Sequence, residues 1–198
     1  MGIVERKIRQ KEVIRVQILD MAWQIVKEEG WQALSIRKIA DGIEYSVPVI
    51  YDHFANKEAI LYELSMQGFR LLQSQLSKNI QSHEDPIEQL RAHVETYWNF
   101  AFRNKEYYQL MYGLGMPCCG AGKMNTEVNI FRDVISTTIE KIITQRGSDP
   151  NQLCFKSYAL WSIVHGLISI MLMRVSDIDD TLNKQVMTDS LETFIKNL

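Results

Sequence analysis

The chain has 198 residues, 46% of them hydrophobic and 23% charged, an ordinary globular composition with enough chain to bury a core without disulfides or a structural metal. Cys118, Cys119 and Cys154 form neither a disulfide framework nor the paired spacing of a zinc site, so reduced thiols and no metal are expected. The formal net charge of −2 excludes nucleic-acid binding driven by a broad basic field.

The first fifteen residues are polar and basic, unlike a signal peptide, and set Arg6, Lys7, Arg9, Lys11 and Arg15 against Glu5 and Glu12. They read as a flexible arm touching phosphate or the minor groove, or as a solvated tail. From about Val13 to Glu29, Ile14, Ile18, Met21, Ala22, Ile25 and Val26 recur at helical spacing, and Gly30 ends the helix. Ser35 is an N-cap for a short helix carrying Ile36, Ile39 and Ala40, which Gly42 and its neighbours break. Ser46 opens a third helix that tolerates Pro48 in its first turn and runs to about Phe54. Asn56 caps a fourth helix from Lys57 towards Ile80. Helical patterns follow at about 87–103 and 105–112, then a loop at Gly113–Gly122, and helices at about 125–146, 151–174 and from Thr181 onward. The apolar stretch Ala159–Met173 is interrupted by Ser162, His165, Gly166 and Ser169, and is expected as a buried core helix rather than a membrane span. A cytoplasmic, all-α protein without strand alternation or repeats is the expectation.

Three short helices, the second and third joined by a tight turn at about residues 34–53, are the arrangement that lets a recognition helix lie in the major groove. The residues Leu34-Ser-Ile-Arg-Lys-Ile-Ala40, Ser46-Val-Pro-Val-Ile-Tyr51-Asp-His53-Phe54 and Lys57-Glu58-Ala59-Ile-Leu61 closely resemble the DNA-binding domain of the TetR/AcrR family of bacterial repressors. The resemblance covers about residues 10–62. One departure concerns the turn: the family usually has glycine where this chain has Glu44, and a glycine stands two residues earlier at Gly42. Either Glu44 takes a positive φ at some cost, or the turn is redrawn around Gly42.

The resemblance implies residues 1–57 as a helix-turn-helix domain and 58–198 as a larger helical effector-binding and dimerisation domain. Expected DNA contacts are Ser35, Arg37, Ser46, Val47, Pro48, Val49, Tyr51, His53 and Lys57. Arg37 can meet guanine bidentately or contact phosphate. Val47, Pro48 and Val49 lack donors and can read thymine methyls and shape, whereas Tyr51 and His53 can donate to phosphate and Lys57 adds charge. The family also implies a homodimer formed by the two long helices at 125–146 and 151–174, which accounts for a pseudo-palindromic double-stranded operator.

Residues 86–175 are rich in aromatic and methionine side chains, which suit an adaptable apolar pocket for a small-molecule effector. Tyr97, Trp98, Tyr108, Met111, Tyr112, Trp161 and His165 are the expected ligand residues, though residues at this spacing are more often plain core. Trp161-Ser-Ile-Val-His165-Gly166 is similar to the Trp…His-Gly signature of one C-terminal class in the family. The leading expectation is a repressor released by a small apolar or aromatic ligand, with no cofactor. A partner-binding protein with weakened DNA binding and a thiol sensor using Cys118 and Cys119 are the alternatives. Enzymatic activity is not expected, since no nucleophile–base or metal cluster stands at the required spacing.

Overall fold

The computed structural model describes residues 2–113, 126–173 and 180–198, all helices and short connections with no strand among them. The expected loop at Gly113–Gly122 therefore lies, beyond Gly113, outside the described residues, and with it Met116, Cys118 and Cys119. Helix α1 spans Ile3–Glu29 and starts ten residues before the expected Val13. Hydrophobic periodicity misses this extension because residues 4–13 are exposed and need no apolar stripe. The extension contains no glycine or proline, and Glu5 accepts from the Gly2 N–H at 3.0 Å, so one N-terminal donor is satisfied. Gly30, at φ 86°, ends the helix.

A single 3-10 turn at Trp31–Ala33 leads to α2 (Ile36–Gly42) and α3 (Val47–Tyr51). Then come α4 (Lys57–Ser82), α5 (Pro86–Arg103) and α6 (Lys105–Tyr112). Helix α7 (Thr126–Arg146), a 3-10 turn at Pro150–Gln152, α8 (Leu153–Leu172) and α9 (Asp180–Lys196) complete the described chain. The caps are those the sequence indicates at Ser35 and Asn56: Ser35 Oγ accepts from the Lys38 N–H at 3.2 Å and Asn56 Oδ1 from the Ala59 N–H at 2.8 Å.

The chain forms two compact units. Residues 1–68 and α6 from Glu106 make the first; residues 69–105, with α7 to α9, make the second. The boundary thus falls inside α4 at Gly68 rather than between residues 57 and 58, and α6 joins the helix-turn-helix unit. In the first unit Ile18, Ala22, Ile39, Ile50, Leu64 and Leu110 form one buried cluster. Trp23 of α1 stacks on Tyr107 of α6 at 3.8 Å, and the Tyr107 hydroxyl donates to Gln67 Oε1 of α4. Burial, reinforced by Asp20, raises the Tyr107 pKa and keeps that hydroxyl protonated.

In the second unit α5, α7 and α8 pack on one another and α9 packs on α8. Arg91 of α5 donates through Nε and Nη2 to the two oxygens of Glu192 on α9, each at 2.7 Å, and through Nη1 to Glu88. This fork-to-fork geometry raises the arginine pKa and lowers that of the glutamate. Arg146 donates to the Ile195 carbonyl and Lys156 to the Asn197 carbonyl, so two cations serve the carbonyls at the end of α9.

Helix α8 corrects the expectation of a buried core helix. Ser157, Leu160, Val164 and Ile168 are buried along one side, but Phe155, Tyr158, Ile170 and Met173 stand exposed on the other. A helix apolar all round needs cover on both sides, and the single chain covers one. Among the described residues, Pro150–Leu172 is the one segment whose length and composition would also permit a membrane span.

Candidate nucleic-acid interface

The turn between α2 and α3 keeps its left-handed residue at Glu44, with φ 59°. The Tyr45 N–H reaches back to the Ala40 carbonyl at 3.0 Å and the Glu44 N–H to the Asp41 carbonyl at 3.4 Å. This is a Schellman ending, in which the residue at Glu44's position prefers glycine. Gly42 is favoured for a different reason: a Cβ there would sit 2.6 Å from Met21 Sδ, and the methionine side chain would have to move. Both glycine-favouring demands fall within three residues, and the chain meets only one of them with glycine.

Ser46 takes the extended backbone of an N-cap, yet its hydroxyl makes no capping bond. Pro48 lies in the first turn, and Ile50 is fully buried, anchoring α3 to the core of the first unit. Ser46 and Pro48 are exposed, Val47 and Val49 are half-buried, and Tyr51 is 52% exposed. Arg37 projects freely from α2, held only loosely by Asp41 at 4.0 Å. Arg37, Ser46, Pro48 and Tyr51 thus have polar or apolar surface available to a groove.

Three expected contacts are engaged differently. Ser35 Oγ is used in the cap of α2. Lys57 Nζ donates to the Gln32 carbonyl at 3.2 Å and lies 5.9 Å from the centre of the Trp31 ring, so it ties the 3-10 turn to α4. His53 is half-buried, and burial, with Lys11 as the next cause, lowers its pKa. The shift favours the neutral imidazole, which carries one N–H donor. Of the five basic residues near the start, Arg15 is structural: it pairs with Glu63 at 3.0 Å and covers the Phe54 ring at 4.5 Å. Tyr45, which the sequence reading does not single out, is 40% exposed directly before the N-cap. An aromatic residue in a turn, with no helical partner position to bury it, was the available signal.

The expected ligand residues divide between the two units. In the second, the Tyr97 hydroxyl and His165 Nδ1 lie 3.2 Å apart, and Trp161 stacks on the imidazole at 4.8 Å. Tyr97 and Trp98 are buried, and burial lowers the pKa of His165. In the first unit, Tyr108 is buried against Tyr112 and Met111 lies against Gly68. The depression lined by Thr181, Lys184, Gln185, Thr188, Asp189 and Glu192 is open and includes none of the expected ligand residues. No grouping of His, Cys, Asp and Glu suited to a metal occurs among the described residues.

Two family profiles match in series: "Bacterial regulatory proteins, tetR family" over residues 18–64, and "Tetracyclin repressor-like, C-terminal domain" over residues 90–187. The chain is 28% identical over 98 residues to the HTH-type transcriptional activator FasR of Mycolicibacterium smegmatis, covering 50% of this chain and 45% of FasR. It is 30% identical over 89 residues to the HTH-type transcriptional repressor KstR2 of Mycobacterium tuberculosis, covering 45% of this chain and 44% of KstR2. Each match spans less than half of that relative's own length. The fold extends further: the transcriptional regulator FadR of Bacillus subtilis, solved with stearoyl-CoA, superposes with a TM-score of 0.68 at 16% identity over 92% of this chain and 98% of that one. With both halves of one family's plan present in order, and α2, its turn and α3 in helix-turn-helix geometry, the chain belongs to the TetR family of bacterial regulatory proteins.

Proposed function

We propose that the protein is a dimeric, cytoplasmic transcriptional repressor that binds a pseudo-palindromic duplex operator and leaves it when a small apolar effector binds. The observation that carries the reading is the exposed set Arg37, Ser46, Pro48 and Tyr51, presented by two short helices whose other sides are buried. Arg37 supplies the guanine or phosphate contact, Val47, Pro48 and Val49 meet thymine methyls, and Tyr51 and His53 donate to phosphate. Tyr45 joins this set.

Two copies are needed because one half-site engages few cations. The side of α8 on which Phe155, Tyr158, Ser162 and Ile170 stand exposed, with half-buried Gly166 among them, supports a symmetric interface between copies. For the effector, the Tyr97–Trp161–His165 cluster offers aromatic walls and one polar pair. Tyr108, Met111 and Tyr112 lie on α6, joined through Asn104 to α5 of the second unit. A change in α5 can therefore reach α6 along the chain and shift the population of DNA-competent protein. Long-chain acyl-CoA thioesters are the first effector class to test, given the ligand of the FadR neighbour. Activation rather than repression is the second reading, favoured by the likeness to FasR.

Selection from a random duplex pool tests the proposal. An inverted repeat should be enriched, and Arg37→Ala and Tyr51→Ala should each weaken binding to it by about tenfold or more. If no motif emerges at low salt, or both variants bind as the wild type does, DNA reading by α2 and α3 is wrong. Adding palmitoyl-CoA, free palmitate or CoA to the complex then tests release.

A further inference from the structure

The extension of α1 before the three-helix core has a specific shape and charge. Residues 4–13 are exposed, and Arg6, Lys7, Arg9 and Lys11 have no ion-pair partner among the described residues, while Glu5 is engaged with the Gly2 N–H. Lys7 and Lys11 continue, at i, i+4, i+7 and i+11, the stripe that Ile14 and Ile18 bury one and two turns later. Lys11 and Arg15 also act electrostatically on His53 just after α3, so the extension leaves the unit beside the end of the recognition helix. Arg15 is anchored at that level by Glu63 and Phe54.

We propose that residues 3–11 are a rigid cationic arm that lies along the phosphate backbone flanking each operator half-site, an inference that rests on the DNA-binding function proposed above. The occupant is duplex DNA because four cations without ion-pair partners crowd one short exposed helical segment: Lys7 and Lys11 on one face can follow a line of phosphates, while Arg6 and Arg9, on the other faces of the helix, add to the local positive field. At about 1.5 Å per residue the arm covers roughly 12 Å, or the rise of about four base pairs. Its helical form decides how it binds. A helix with side chains is about 10 Å wide and the minor groove about 6 Å, so the arm cannot enter that groove and reads charge rather than bases. Its contribution is therefore strongly salt-dependent and indifferent to flanking sequence.

The test compares the full-length wild type with an Arg6→Gln, Lys7→Gln, Arg9→Gln and Lys11→Gln variant, whose helicity is checked by circular dichroism. Both are titrated onto the selected inverted repeat with long flanks, and onto the same repeat trimmed at its edges. The slope of log affinity against log salt should fall by about 1.8 per arm in the variant, at about 0.9 for each of the two phosphates that Lys7 and Lys11 no longer neutralise. Trimming should weaken the wild type and leave the variant unchanged, and scrambling the flanks should alter neither. Equal salt slopes with intact operator binding overturn the arm while leaving the function standing. So do dependence on flank sequence and a change of oligomeric state in place of a change of slope. If the wild type binds no duplex, both fall.

Discussion

Glu44 occupies a left-handed position where an L side chain is disfavoured by roughly 1–2 kcal/mol. Glu44→Gly should therefore stabilise the protein by about 1 kcal/mol despite the added freedom of the unfolded chain, seen as a higher urea midpoint at unchanged slope. A lower midpoint would show that this left-handed geometry is not strained. His93 offers a second test. It is fully buried on α5, and burial, aided by the charges of His83 and Lys141, lowers its pKa to about 4. Unfolded histidine titrates near 6.5, so between these values the unfolded state binds more protons and stability rises with pH. The contribution is fully present above about pH 6.5 and lost as pH falls towards 4. Urea titrations from pH 4 to 7.5 should show a shallower loss in His93→Gln than in the wild type; parallel profiles would remove His93 as the source.

Among the elements, α6 departs most from what the sequence suggests. Its aromatic run Tyr107-Tyr108-Gln-Leu-Met111-Tyr112 reads as pocket lining, yet it packs with α1 and α4 in the helix-turn-helix unit through Tyr107 on Trp23 and Met111 on Gly68. A Cβ on Gly68 would stand 2.8 Å from Met111 Sδ and 3.1 Å from Tyr107 Cβ. Gly68→Ala should cost about 1–3 kcal/mol in denaturant unfolding, the usual range for overpacking. A change below about 0.5 kcal/mol would mean that α6 can move away from α4 at little cost. The helix-turn-helix itself was legible because caps, turn and apolar spacing are local. The commitments of Lys57 to Gln32 and of Arg15 to Glu63 and Phe54 were not, because each joins residues far apart in sequence.

For the whole molecule, the exposed side of α8 predicts the dimer. Phe155 and Tyr158 are 70% and 68% exposed, and a Cβ on Gly166 meets nothing within 4 Å. Gly166→Leu should therefore leave the single chain folded yet hold two helices apart, since interaxial distance follows the side chains at the crossing. Light scattering should give a dimer for the wild type and a monomer for Gly166→Leu and for Phe155→Glu with Tyr158→Glu. A dimer that persists in both would place the interface elsewhere.

By itself the sequence determined the all-α class, the order and limits of most helices, the two caps at Ser35 and Asn56, and the family. These follow from interactions within a few residues: capping, backbone preference and periodicity. The sidedness of α8, the membership of α6 and the partners of Lys57 and Arg15 were decided only by tertiary structure. Each depends on which distant surface comes to lie against the helix, and an exposed or doubly apolar helix carries no periodic signal of what covers it.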